Sequence, residues 1–152
     1  MSDETIMGLT LEDHQAALTE VAFLMDIFTA TIDNIMGGAT SSVGRMAGRD
    51  TAKKYPVFLE NPSLKEAVAV VAERMKAGFV ISLEGGEDGN TIVFHRCILR
   101  DICKLRGIEM GQAMCRLFHY YFDGIVNELV SRPVKSEITN SGKSCLVIIR
   151  TQ

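Results

Sequence analysis

Apolar positions recur every three or four residues from about Thr10 to Met36, through Leu18, Val21, Ala22, Met25, Phe28, Ile32 and Ile35. That spacing predicts one long helix. Thr10 with Asp13, or Asp13 itself, supplies a start and Gly37-Gly38 an end. A second helix is expected from Thr40 to Lys54, stopping before Tyr55-Pro56. A third begins at Pro62-Ser63, carries Leu64, Ala67, Val68, Val71, Ala72 and Met75, and closes at Gly78. The period then falls to two. Phe79, Ile81 and Leu83 alternate with Val80, Ser82 and Glu84, and the turn-forming run Gly85 to Asn90 leads into a second strand, Thr91 to His95. A short helix around Ile98 to Leu105 ends at Gly107, and a longer one runs from about Glu109 to Val130, with Pro133 beyond it. A closing hairpin joins Val134–Thr139 to Ser144–Arg150 across Asn140-Ser141-Gly142-Lys143, pairing Ile138 with Cys145 and setting Cys145 beside Val147 and Ile149 on one face. Helices and hairpins are segregated rather than alternating. The expected fold class is therefore α+β: N-terminal helices, antiparallel hairpins and a long helix packed on one sheet, all in a single domain spanning 1–152.

The first helix would be about 40 Å long at 1.5 Å per residue. Leu18, Val21, Ala22, Phe23, Leu24, Met25, Ile27 and Phe28 spread around much of its circumference, so it needs cover on most sides. A second copy of the chain is the simplest cover, which predicts a homodimer with Phe23 and Phe28 at the interface; a monomer in which the second and third helices wrap the first is the alternative.

Composition narrows the class. At 152 residues, with 47% hydrophobic and 23% charged, the chain can fill one globular core and does not resemble a disordered segment. Lys and Arg number 16 against 19 Asp and Glu, with no basic block, so no nucleic-acid partner is expected. The acidic start, Met1-Ser2-Asp3-Glu4, is unlike a secretory signal, and Asp, Glu, Lys or Arg interrupt the apolar stretches. Those features predict a cytoplasmic protein without a membrane span, whose cysteines stay reduced.

Cys97, Cys103, Cys115 and Cys145 all fall in the last 56 residues of the chain. Their spacing, Cys97-x5-Cys103-x11-Cys115 and then Cys145, lacks the close pair of the common zinc and iron–sulfur patterns, although four thiolates converging in space would suit either metal. Four small buried hydrophobes is the other reading. On the long helix, Gln112, Arg116, Tyr120, Asp123 and Asn127 form a polar stripe, opposed by Met114, Phe118, Tyr121, Phe122, Ile125 and Leu129 facing the core. Cys115 and His119 are four apart at the boundary, where they could ligate one ion or form a thiolate–imidazolium pair, or simply be half-buried. His95 lies two residues before Cys97 and could join it, whereas His14 is expected to cap a helix or face water. Gly44 and Gly48, one turn apart, imply close approach of either another helix or a ligand, with Arg45 and Arg49 available for ion pairs. No nucleophile elbow, phosphate loop, dinucleotide fingerprint or zinc-protease motif is present.

From about Gly37 to Arg150 the chain resembles the 4-vinyl-reductase-type, or hydrocarbon-binding, domain family, which is similar in fold to small TRAPP-type trafficking subunits. The resemblance rests on Ala47-Gly48-Arg49 preceded by Gly44, on Cys97 or Cys103 before the long helix, and on the final run Gly142-Lys143-Ser144-Cys145-Leu146-Val147-Ile148. The chain departs from the family in two places. No cysteine lies between Glu137 and Ser141, and Cys115 matches no common family position, so a family-like metal site would need a different ligand set. The resemblance implies an apolar pocket between helices and sheet and a ligand-binding or sensor role, with Phe94, Met114, Phe118, Phe122 and Ile125 as candidate walls. One alternative is a metal or redox protein in which Cys97, Cys103, Cys115 and Cys145, or His119 in place of one, hold zinc or an iron–sulfur cluster. A third reading, an enzyme acting on a tetrapyrrole-like substrate, follows from the family name alone.

Overall fold

A computed structural model describes residues 8–86 and 89–152. Residues 1–7 and the Glu87-Asp88 tip of the expected first turn lie outside the described residues. Helix α1 (Leu11–Met36) starts on a reciprocal cap between Thr10 and Asp13 and ends at Gly37, whose φ of 59° is left-handed. Next come α2 (Thr40–Lys53) and α3 (Leu64–Arg74), the latter capped by Ser63 and Glu66. Strands β1 (Phe79–Gly86) and β2 (Gly89–Cys97) precede α4 (Ile98–Arg106), which stops at left-handed Gly107. Helix α5 (Ala113–Val130) and the strands β3 (Val134–Ser141) and β4 (Cys145–Thr151) complete the chain. The fold is α+β.

The strands form one antiparallel sheet in the order β1-β2-β4-β3, so the two hairpins join through β2 and β4. Alternation puts Ile92 and Phe94 of β2 and Cys145, Val147 and Ile149 of β4 on the same face, all buried against α5. Phe122 crosses Phe94 edge-on at 5.5 Å between ring centres, with Ile125 and Val126 beside it. Val68 and Val71 bring α3 against the same core. A smaller cluster of Ala22, Ile102, Cys103 and Met114 holds α1, α4 and the start of α5 together.

Three local expectations are corrected. The long helix begins at Ala113, not near Glu109, because Gly111 takes a φ of +81° and Gln112 is extended. In the closing hairpin Ile138 pairs with Val147 and Ser141 with Cys145, with a bulge between Ile138 and Asn140. The shift is even, so Cys145 keeps the inward face. Asp123, expected in the polar stripe opposite the core-facing one, is 1% exposed. Helix α1 is long and apolar enough by length and composition alone to cross a membrane. Its Asp26 accepts a hydrogen bond from the Met114 N–H, and its Asp33 accepts from Thr40 and Arg116.

Candidate functional site

Close packing of α2 on α5 sets the geometry of the site. A Cβ at Gly44 would meet Tyr120 Cβ at 2.7 Å; one at Gly48 would run into the Tyr121 carbonyl and come within 3.0 Å of Gly124 Cα. Gly124 reciprocates, since its own Cβ would strike the Arg45 carbonyl. Ion pairs flank this contact, Arg49 to Glu128 at 3.0 Å and Arg45 to Asp123 at 3.8 Å. Further toward the N-terminal end of α5 the layers separate.

There a cavity of about 690 Å³ opens. Its walls are Met25 of α1, Val43, Gly44 and Ala47 of α2, Leu99 of α4, and Met114, Leu117, Phe118 and Tyr121 of α5, closed by Arg74, Met75, Ala77, Gly78 and Phe79. Phe79 and Phe118 stack at 4.5 Å with rings 5° from parallel, making a flat aromatic wall. Tyr121 donates its hydroxyl to Thr51 at 3.1 Å, so its polar end is engaged outside the apolar space. Gly44 thus serves both close helix contact and the cavity wall, whereas Gly48 serves contact alone.

Of the wall residues expected from sequence, Met114 and Phe118 line this cavity. Phe94, Phe122 and Ile125 instead fill the core between α5 and the sheet. Val43, Ala47, Phe79 and Leu99 escaped sequence reading. A signal for the α2 residues was present, because small residues at 44, 47 and 48 leave one side of that helix nearly bare.

The cysteines gather in a second place. Cys97, Cys115 and Cys145 line a void of about 10 Å³ together with His119, Phe94 and Phe118, space for one water at most. Cys103 lies outside it, buried with Ala22, Ile102 and Met114. All four are buried free thiols. Burial pushes the Cys97 and Cys103 thiols up and Cys115 to about 11, and it drives His119 down to about 4, so these groups are neutral near pH 7. Among the described residues no three His, Cys, Asp or Glu side chains are placed to hold one ion. In this arrangement the set does not fit a bound metal. His95 lies apart, exposed and bonded to Ser82 at 2.8 Å.

Two buried charges were not legible in the sequence as such. Arg100, 8% exposed, donates to Cys145 Sγ at 3.2 Å, while its Nε has no partner among the described residues. Burial raises Asp123 to about 6, against the opposing pull of Ser136 and Arg45. No protein-family model matches the chain, and no curated protein matches it significantly.

Proposed function

We propose that the chain is a ligand-binding or sensor protein that takes an apolar small molecule into the cavity between α1, α2, α4, α5 and the start of β1. This is the role implied by the resemblance to hydrocarbon-binding 4-vinyl-reductase-type domains. The observation that carries it is the cavity: about 690 Å³, walled by methionine, leucine, valine and aromatic side chains. Small-molecule sites run roughly 300–1,000 Å³ with mostly apolar linings. Titration with N-phenyl-1-naphthylamine, whose fluorescence rises in apolar surroundings, tests the reading. Saturable one-to-one binding is expected, reduced at least about tenfold, roughly 1.4 kcal/mol, by Ala47→Trp, which fills the space. Unaltered binding in that folded variant would move the site elsewhere.

The metal or redox alternative draws on the gathering of Cys97, Cys115, Cys145 and His119 around one void. Stoichiometric zinc or iron in freshly purified protein would favour it and would require those side chains to draw together.

The proposal includes a homodimer built on α1. Leu11, Leu18, Val21, Met25, Phe28 and Ile35 are exposed on this helix, and with His14 and half-buried Ile32 they continue an alternating three-four spacing from 11 to 35. That spacing is the seam of a two-helix coiled coil, which a second copy matches with the same residues.

A further inference from the structure

Charge is distributed unevenly in the cavity wall. Of the fourteen lining residues one is charged, Arg74, and none is acidic. Arg74 sits in the last turn of α3, with its guanidinium over the Tyr55 ring at 5.1 Å. That stacking holds the head in place without neutralising it. Among the described residues no carboxylate pairs with it; its neighbour Glu73 is engaged by Lys76. The second polar lining residue, Tyr121, already spends its hydroxyl on Thr51.

We infer that the ligand is an amphipathic carboxylic acid, its apolar body lying against Phe79 and Phe118 and its carboxylate paired with Arg74. This rests on the cavity being the binding site. A plain hydrocarbon leaves the one charged group of the wall unused, and a cationic ligand is repelled by it. A phosphate dianion calls for more than one cation, whereas a single planar guanidinium matches a single carboxylate through two parallel hydrogen bonds. Arg74 is exposed, so the acid head stays at the water boundary while the tail is buried, and the pair avoids the desolvation cost of a fully buried ion pair. Fatty and aromatic acids share this chemistry.

Dansyl-undecanoic acid and its methyl ester differ only at the head group, and 2-naphthoate against 2-methylnaphthalene separates the aromatic from the fatty source. The acid of the preferred pair should bind about tenfold more tightly than its neutral counterpart, with an advantage that shrinks as salt rises from low to high ionic strength. Arg74→Gln should bring the acid to the affinity of the neutral probe without changing the latter, and Arg74→Lys should keep part of the gap. Equal binding of acid and neutral probe by the unaltered protein overturns the inference, as does a preference that survives Arg74→Gln. If Arg74→Gln does not fold, the salt dependence of the unaltered protein decides instead: an acid preference indifferent to salt overturns the assignment. Neutral probes that bind without acid preference remove only the role of Arg74, whereas failure of every probe to bind removes the cavity reading with it.

Discussion

Gly48 and Gly124 show how one hydrogen atom governs the packing of two helices. Adding a methyl group at Gly48 would press on the Tyr121 carbonyl and the Gly124 backbone, neither of which can swing aside as a side chain would. Gly48→Ala is therefore expected to destabilise the fold by about 3 kcal/mol or more, at the upper end of overpacking costs, measured as a lower denaturant midpoint at unchanged slope. Asp123 and His119 make opposed contributions to the dependence of stability on pH. Asp123 titrates near 6 in the fold and near 3.8 unfolded, so between those values the native state holds the extra proton and stability falls as pH rises, by roughly 3 kcal/mol in all. His119 titrates near 4 in the fold and 6.5 unfolded, so over an overlapping range the unfolded chain holds the extra proton and stability rises with pH by a similar amount. The two slopes offset one another in the native protein. Asp123→Asn should expose the rising slope between pH 4 and 6, and His119→Leu the falling one, in urea midpoints taken across that range. A variant whose profile parallels that of the unaltered protein would show that its group does not titrate as stated.

The longest element, α1, was visible from periodicity and from its capping residues, but its periodicity does not say which side faces home. Ala22, Thr29 and the carboxylates of Asp26 and Asp33 turn toward α2, α4 and α5. Phe23, expected at a dimer interface, is half-buried beneath Arg106, whose guanidinium lies 4.1 Å from its ring centre while also pairing with Glu20. Phe28, 58% exposed, remains on the open face. Phe28→Glu should therefore convert the proposed dimer into a folded 16.7 kDa monomer in sedimentation equilibrium at micromolar concentration, whereas Phe23→Glu should cost stability instead. A native chain that sediments as a monomer would refute the dimer. The α5 start was misplaced for a local reason: Glu109 and Met110 suit a helix, and the left-handed turn at Gly111 is what ends that possibility.

Across the whole molecule, two regions of α5 face different surroundings. One packs against the sheet through Phe122 and Ile125 as solid core, and the other borders open space through Met114 and Phe118. The cysteines lie close to that boundary, shielded on all sides, with Cys97, Cys103, Cys115 and Cys145 each no more than 7% exposed. A thiol-reactive disulfide reagent should label the native protein slowly at all four and rapidly after unfolding in guanidinium. Rapid reaction of all four in native protein would contradict this burial.

Element types, their order, the α+β class and the shared face of Cys145, Val147 and Ile149 were legible in the sequence because each depends on periodicities and caps that act within a few residues. Even the mispaired terminal hairpin kept its faces, since an error of two positions preserves the alternation of a strand. The cavity and the buried charges were not legible in the same way. Phe94, Phe122 and Ile125 are as apolar as Phe79, Leu99 and Phe118, and nothing in their side chains distinguishes a core position from a cavity wall. That distinction is set by the spacing between layers: glycines at 48 and 124 pull α2 onto α5 at one end, and at the other α1, α4 and the start of β1 hold the layers apart. The burial of Asp123 and Arg100 follows from the same long-range contacts, because a charged residue on a helix is solvated or enclosed according to what the rest of the chain lays over it.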